Sequence, residues 1–186
     1  MRCIIFGIIA LFSSSFLFGQ ANHKLDKEKS KITIKGTSSL HDWESKATDF
    51  QGSGLFTIEN DQITKVEDIQ IQVIVKSIES GKSIMDGKTR DALKASKYPK
   101  IKFTSTETNI TANQIACKGK MEMAGASKMV TANVAYKLVQ GVPEFTGSIK
   151  IVMSDYGIEP PVAMFGTLKT GDEVTIDFEL KFVSNK

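Results

Sequence analysis

The segment Ser38-Ser39-Leu40-His41-Asp42-Trp43 sets a serine, a histidine and an aspartate side by side, the residue types of a nucleophilic triad. Their spacing works against that chemistry. Neighbouring residues of an extended chain point to opposite faces, so Asp42 is badly placed to orient the His41 ring. No serine of the sequence sits in a G-x-S-x-G elbow. Metal chemistry has little to build on. The histidines are His23 and His41, and no H-x-H, H-E-x-x-H or C-x-x-C spacing occurs. Asp61, Glu67 and Asp68 lack the spacing of a calcium loop, and read as a turn and a strand start. Gly52 and Gly54 form G-x-G with no helix after them, so they read as strand glycines at a bend and not as a phosphate cradle. No catalytic residue, no metal and no cofactor is expected, and the chain reads as a non-enzyme.

The elements that must position any other function begin after residue 20. Residues 1–20 run from Met1-Arg2 through an apolar stretch to Gly19, the layout of a secretory signal peptide with cleavage after Gly19, Gln20 or Ala21. A periplasmic or secreted location follows, with no stable membrane span after cleavage. Export leaves Cys117 as the lone thiol of the mature chain, since Cys3 departs with the leader. A single cysteine makes no internal disulfide, and the alternation around Cys117 places it inward as a small filler. His23 falls in the segment after the cut and is expected to be idle.

The 186 residues hold one domain beyond the leader, spanning 21–186. With 41% hydrophobic residues, 14 glycines, 4 prolines and 2 cysteines, the chain is not collagen-like, disordered or a disulfide scaffold. The net charge is +3, or +2 without Arg2, too little for a nucleic-acid surface. Lys94, Lys97, Lys100 and Lys102 read as a solvated face; a rim for an anionic lipid head group is the weaker reading.

Period-two alternation dominates the mature chain. It marks strands at 31–35, 69–76, 100–104, 118–123, 130–136, 145–151 and 174–182. Turn signals stand at Glu59-Asn60-Asp61, Thr108-Asn109, Gly125-Ala126-Ser127, Gln140-Gly141 and Thr170-Gly171-Asp172. One wet and one greasy face per strand is antiparallel behaviour. A single helix is expected at Ser83–Ala95, with Met85, Ala92 and Leu93 on one face and Pro99 blocking its extension. About eight or nine antiparallel strands suit a closed barrel or a two-sheet sandwich. The greasy face carries large residues such as Phe103, Met121, Met123, Tyr136, Phe145, Ile151 and Phe178, interleaved with small ones such as Cys117, Gly119, Ala132 and Gly147. A filled core and a cavity for one ligand both fit this pattern equally.

Three stretches carry a family likeness. Gly36-Thr37-Ser38-Ser39-Leu40-His41-Asp42-Trp43 is the first. Arg90-Asp91-Ala92-Leu93-Lys94-Ala95 with Lys97-Tyr98-Pro99-Lys100-Ile101-Lys102-Phe103-Thr104-Ser105 is the second. Asp155-Tyr156-Gly157-Ile158-Glu159-Pro160-Pro161, Met164-Phe165-Gly166 and Asp172-Glu173-Val174-Thr175-Ile176 form the third. In order and spacing they resemble the YceI-like, lipocalin-like family. The longer family form has histidine where this chain has Leu93, and an insertion before Tyr98-Pro99 that this chain lacks.

The resemblance implies an all-β, single-domain, lipocalin-like antiparallel barrel of about eight strands with one short helix. It also implies a long-chain isoprenoid or related lipid as ligand and partner, held in an apolar cavity. Trp43, Phe103, Met121, Met123, Tyr136, Phe145, Gly147, Ile151 and Phe178 are the expected lining. Met164 and Phe165 are expected at the mouth, in a loop stiffened by Pro160-Pro161. His41 and Arg90 are the candidates for a polar head-group end, against plainer roles as a hydrogen-bonded barrel residue and a helix-surface ion pair. The alternative function is a ligand-free structural or stress-response barrel acting through protein–protein contacts.

Overall fold

Alternating side chains make strands, and here the strands run well past the alternation that marks them. The structure, a computed structural model, describes residues 21–184; the expected leader lies outside them. The strands are β1 (Ala21–Leu25), β2 (Lys31–Ser38), β3 (Trp43–Ala47), β4 (Phe50–Glu59), β5 (Gln62–Ile74) and β6 (Ile78–Glu79), followed by helix α1 (Ser83–Ala92). Then come β7 (Lys100–Thr111), β8 (Gln114–Met123), β9 (Ala126–Val139), β10 (Val142–Val152), β11 (Val162–Ala163) and β12 (Leu168–Ser184).

All pairings are antiparallel, and they close a ring. From β4 the order runs β5, β7, β8, β9, β10, β12. β12 returns to the start by pairing with β2 through residues 174–179 and with β1 through 182–184. β1 and β2 are separated by a 3₁₀ turn at Lys27–Lys29 and occupy one position in the ring; β3 and β4 occupy the next. The result is a closed barrel of eight strands, which removes the open edges that long amphipathic strands would otherwise expose. The short β6 and β11 are additions at one end, paired to β3 and β12.

The connections explain where sequence and structure part. Asn60-Asp61, Ala124-Gly125 and Gln140-Gly141 are two-residue hairpin turns with both φ values positive (49° and 58°, 52° and 90°, 53° and 77°), the twist that matches paired strands. The turn expected at Thr108-Asn109 is instead strand. The Thr108 hydroxyl donates to Val66 O at 2.6 Å, and β7 continues to a turn at Ala112-Asn113. Thr170-Gly171-Asp172 does not break β12; the register with β2 shifts there. Glu67 and Asp68 sit within β5 at a register shift against Ser53 and Leu55, with Asp68 at φ 50°.

Helix α1 ends earlier than its sequence pattern extends. Lys94 takes a left-handed conformation (φ 53°). Its N–H donates to Asp91 O and that of Ala95 to Arg90 O, both at 2.9 Å, which is a Schellman cap. At the other end Asp86 accepts from the Ser80 N–H at 2.7 Å and from the Ser80 hydroxyl at 2.6 Å. Those bonds hold its carboxyl below the usual range.

One end of the barrel is plugged by aromatic rings. Phe56 lies 5.2 Å from both Phe145 and Phe182, edge-on to the latter, and Tyr136 donates its hydroxyl to Ile63 O. His23 is not idle. Its ring packs 5.0 Å from Phe56, because β1 is drawn between β4 and β12, and its Nδ1 lies 2.9 Å from Ala21 O.

Candidate functional site: a one-ended apolar cavity

Above this plug the axis of the barrel is hollow. An inner cavity of about 130 Å³ is walled by Ile, Val, Leu, Ala, Phe, Met and Cys117 alone. No side-chain oxygen or nitrogen reaches it. A hydrocarbon-lined space of this order, about 150 Å³ in a model case, stays dry and accepts an apolar guest. An outer cavity of about 480 Å³ adjoins it, in the range typical of ligand sites, about 300–1,000 Å³. Ile34, Ile78, Ile101 and Ile176 line both and form the waist between them.

The outer cavity opens between three segments: the β2–β3 connection, the start of α1, and the β11–β12 hairpin. They are tied to one another. Ser39 N–H donates to Lys169 O at 2.9 Å, Lys169 N–H donates to Ser39 Oγ at 3.1 Å, and Lys88 Nζ donates to Val162 O at 2.8 Å. Met85 and Ala92 of α1, and Leu93 just after it, line the cavity, so the helix lies across this end as a partial cover. The polar groups of the wall, among them Ser38, His41, Lys82 and Lys88, belong to this outer part. The site is thus graded from wet rim to dry interior.

The expected lining residues divide by depth. Phe103, Met121, Phe145 and Phe178 surround the inner cavity; Trp43, Met123, Ile151 and His41 surround the outer. Four of the others do not line either. Tyr136 belongs to the aromatic plug. Gly147 points inward but is roofed by Phe178: a Cβ there would stand 2.7 Å from the Phe178 ring and 2.9 Å from Asn133 O. Arg90 is half-buried on α1 and lines neither cavity. Phe165 turns fully outward, at φ 55°, because it sits at the tip of the β11–β12 hairpin. Met164 begins the same 3₁₀ turn, and its side chain lies outside what is described.

Gly119 repeats the arrangement at Gly147. Its missing Cβ leaves room for the Phe103 ring, whose nearest atoms would come within 2.5 Å of one. Phe103 and Phe178 therefore extend over glycines, their ring tips filling the space that a side chain at either position would need. Sequence alternation finds both glycines and both rings, but not which ring covers which glycine. The sequence puts Met85, Ala92 and Leu93 on one helix face but does not say that this face meets the cavity, and the two-residue β6 is too short for Ile78 to show alternation.

The polar residues of the mouth are engaged locally. The His41 Nδ1 donates to the Asp42 main-chain oxygen at 2.7 Å, and Trp43 Nε1 donates to Thr37 O at 3.0 Å. The Ser39 hydroxyl and the His41 ring thus bond to main-chain groups, the partner of His41 being the backbone oxygen of Asp42 and not its carboxylate. Among the described residues no group of three His, Cys, Asp or Glu converges as a metal site, and no helix is long and apolar enough to cross a membrane.

Cys117, in the wall of the inner cavity, has its thiol pushed up to about 11 from 9.0 by burial. The folded chain keeps this proton to higher pH than the unfolded one. The associated stability is complete below pH 9 and is lost as pH rises towards 11. Over that window the parent protein is expected to lose on the order of 2 kcal/mol more than Cys117→Ala. Urea unfolding of the two proteins at stepped pH measures the difference; parallel curves would contradict it.

An antiparallel barrel plugged by aromatic rings at one end, apolar inside and polar at the opposite rim has a lipocalin-like architecture. The chain belongs to the family of the YceI-like domain, whose model matches residues 23–182. It is 29% identical over 170 residues to a UPF0312 protein of Pseudomonas aeruginosa strain LESB58, covering 81% of this chain and 85% of that protein. Among solved structures, Burkholderia cenocepacia BcnA superposes with a TM-score of 0.72 at 20% identity, over 84% of this chain and 98% of that one. A polyisoprenoid binding domain from Saccharophagus degradans superposes with a TM-score of 0.68 at 14% identity, over 90% and 100%.

Proposed function

We propose that this protein is an exported carrier that holds a long-chain isoprenoid or related lipid in the barrel, acting by binding with no chemical step. The observation that carries the reading is the inner cavity, whose wall offers a guest nothing but hydrocarbon, aromatic rings and a neutral thiol. Water gains nothing there, whereas each methylene moved in from water contributes about 0.8 kcal/mol. A chain threaded past the isoleucine waist would leave its polar end among Ser38, His41, Lys82 and Lys88. The similarity to a polyisoprenoid binding domain supports the same ligand class.

Export rests on the leader-like residues 1–20. Expression of the full chain in a Gram-negative host, recovery from the periplasm, solvent extraction and mass spectrometry test both parts. The expected result is an N-terminus at Gln20, Ala21 or Asn22 and one long-chain lipid per protein. An empty extract, with no rebinding of added polyprenyl lipid, would return the protein to a ligand-free barrel.

A further inference from the structure

An apolar cargo does not cross water unaided, so whatever surface meets the mouth must be one that holds such cargo. The three segments that frame the opening each carry an exposed apolar side chain at the rim, where Ile84 and Val162 also border the outer cavity. Ile84 at the start of α1 is 79% exposed, Leu40 in the β2–β3 connection 69% and Val162 in β11 50%, while Phe165 at the β11–β12 tip is entirely exposed. Phe165 is also held in a left-handed backbone conformation (φ 55°, ψ 32°), which disfavours a bulky residue. A ring kept there, touching no core, is presented to something outside the chain. The backbone ties of Ser39 to Lys169 and of Lys88 to Val162 hold the segments together, so these side chains act as one collar.

The charges around the collar select the partner. The same segments carry Lys82, Lys88 and Lys169. Their carboxylates are Asp42, which is exposed, and Asp86, which is buried and taken up by Ser80. Apolar tips ringed by lysines match the boundary of an anionic bilayer, where tips enter the acyl region and lysines stay with the head groups. We infer that the mouth docks, through the Leu40, Ile84, Val162 and Phe165 collar, on an anionic phospholipid surface, where the barrel is loaded or emptied. This rests on the carrier reading above, and its test is chosen to fail separately.

The full mature chain is sedimented with phosphatidylcholine vesicles, and with vesicles of phosphatidylcholine and phosphatidylglycerol. The expected result is pelleting with the mixed vesicles, weakened by salt and much reduced with phosphatidylcholine alone. Leu40→Asp and Phe165→Asp, neither of which lines a cavity, are expected to weaken the association about tenfold or more while co-purified lipid stays at the parent level. Aspartate also tolerates the left-handed position at 165, so folding is kept. A parent chain that stays in the supernatant with both vesicle types overturns the proposal, as do variants that pellet like the parent. A concentration-dependent dimer that Phe165→Asp dissolves, with vesicle binding unaltered, would assign the collar to a second copy instead. Loss of lipid from parent and variants alike, with vesicle binding retained, would sink the carrier reading and leave the docking surface standing.

Discussion

Ala132→Phe is expected to weaken binding of a long-chain lipid by about two orders of magnitude while leaving short-chain binding unchanged. Ala132 sits in β9 opposite Cys117, and both line the inner cavity. A phenylalanine ring placed there occupies the space that the far end of a lipid chain would take. Excluding about four methylenes, at about 0.8 kcal/mol each, removes about 3 kcal/mol, or a little over a hundredfold in Kd. A chain short enough to stop at the Ile34, Ile78, Ile101 and Ile176 waist never meets the new ring. Displacement of a fluorescent fatty-acyl probe by competitors of increasing length measures this. The affinity of the parent should climb with length, and that of the variant should level off. Over-packing costs about 1–3 kcal/mol of stability, which circular dichroism and thermal melting keep in view. Equal affinities for the long chain in a folded variant would place the ligand elsewhere.

The second large effect is at the opposite end. Phe56→Ala is expected to cost about 3–5 kcal/mol, a large fraction of the stability of a domain this size, about 5–15 kcal/mol. Phe56 is almost wholly buried and meets His23, Phe145 and Phe182, so three strands besides its own pack on one ring. At about 2–4 °C per kcal/mol, the melting temperature should fall by about 6–20 °C. The hole also opens the floor of the cavity, so retained lipid should exchange faster than in the parent. A melting temperature within about 3 °C of the parent would show that the plug is not what closes this end.

The seven strands read from alternation are all present, because each has one face on the interior and one in water. Strands β1, β3 and β4 left weaker marks. β4 holds Gln51-Gly52-Ser53-Gly54 near its start, which alternates nothing, and β1 and β3 are only five residues long, β1 being held by β12 at the far end of the chain. The helix end was misplaced because a left-handed lysine, Lys94, does what glycine ordinarily does. Which residues face inward was legible; how much space they enclose was not. That space depends on strand number and stagger, and on rotamers such as Phe178 lying over Gly147 and Phe103 over Gly119. The rim was least legible. The outward turn of Phe165 comes from a hairpin only two pairs long, Val162 with Lys169 and Ala163 with Leu168.

Ring closure depends on β12, which pairs with β10 on one flank and with both β1 and β2 on the other. It is also the last of the barrel strands to leave the ribosome. Until it does, no strand pairing joins β10 to β1 and β2, and such distant pairings form slowly. A chain cut before this segment leaves β10 on one side and β1 and β2 on the other without their shared partner, so the ring stays open along one seam with bare strand edges.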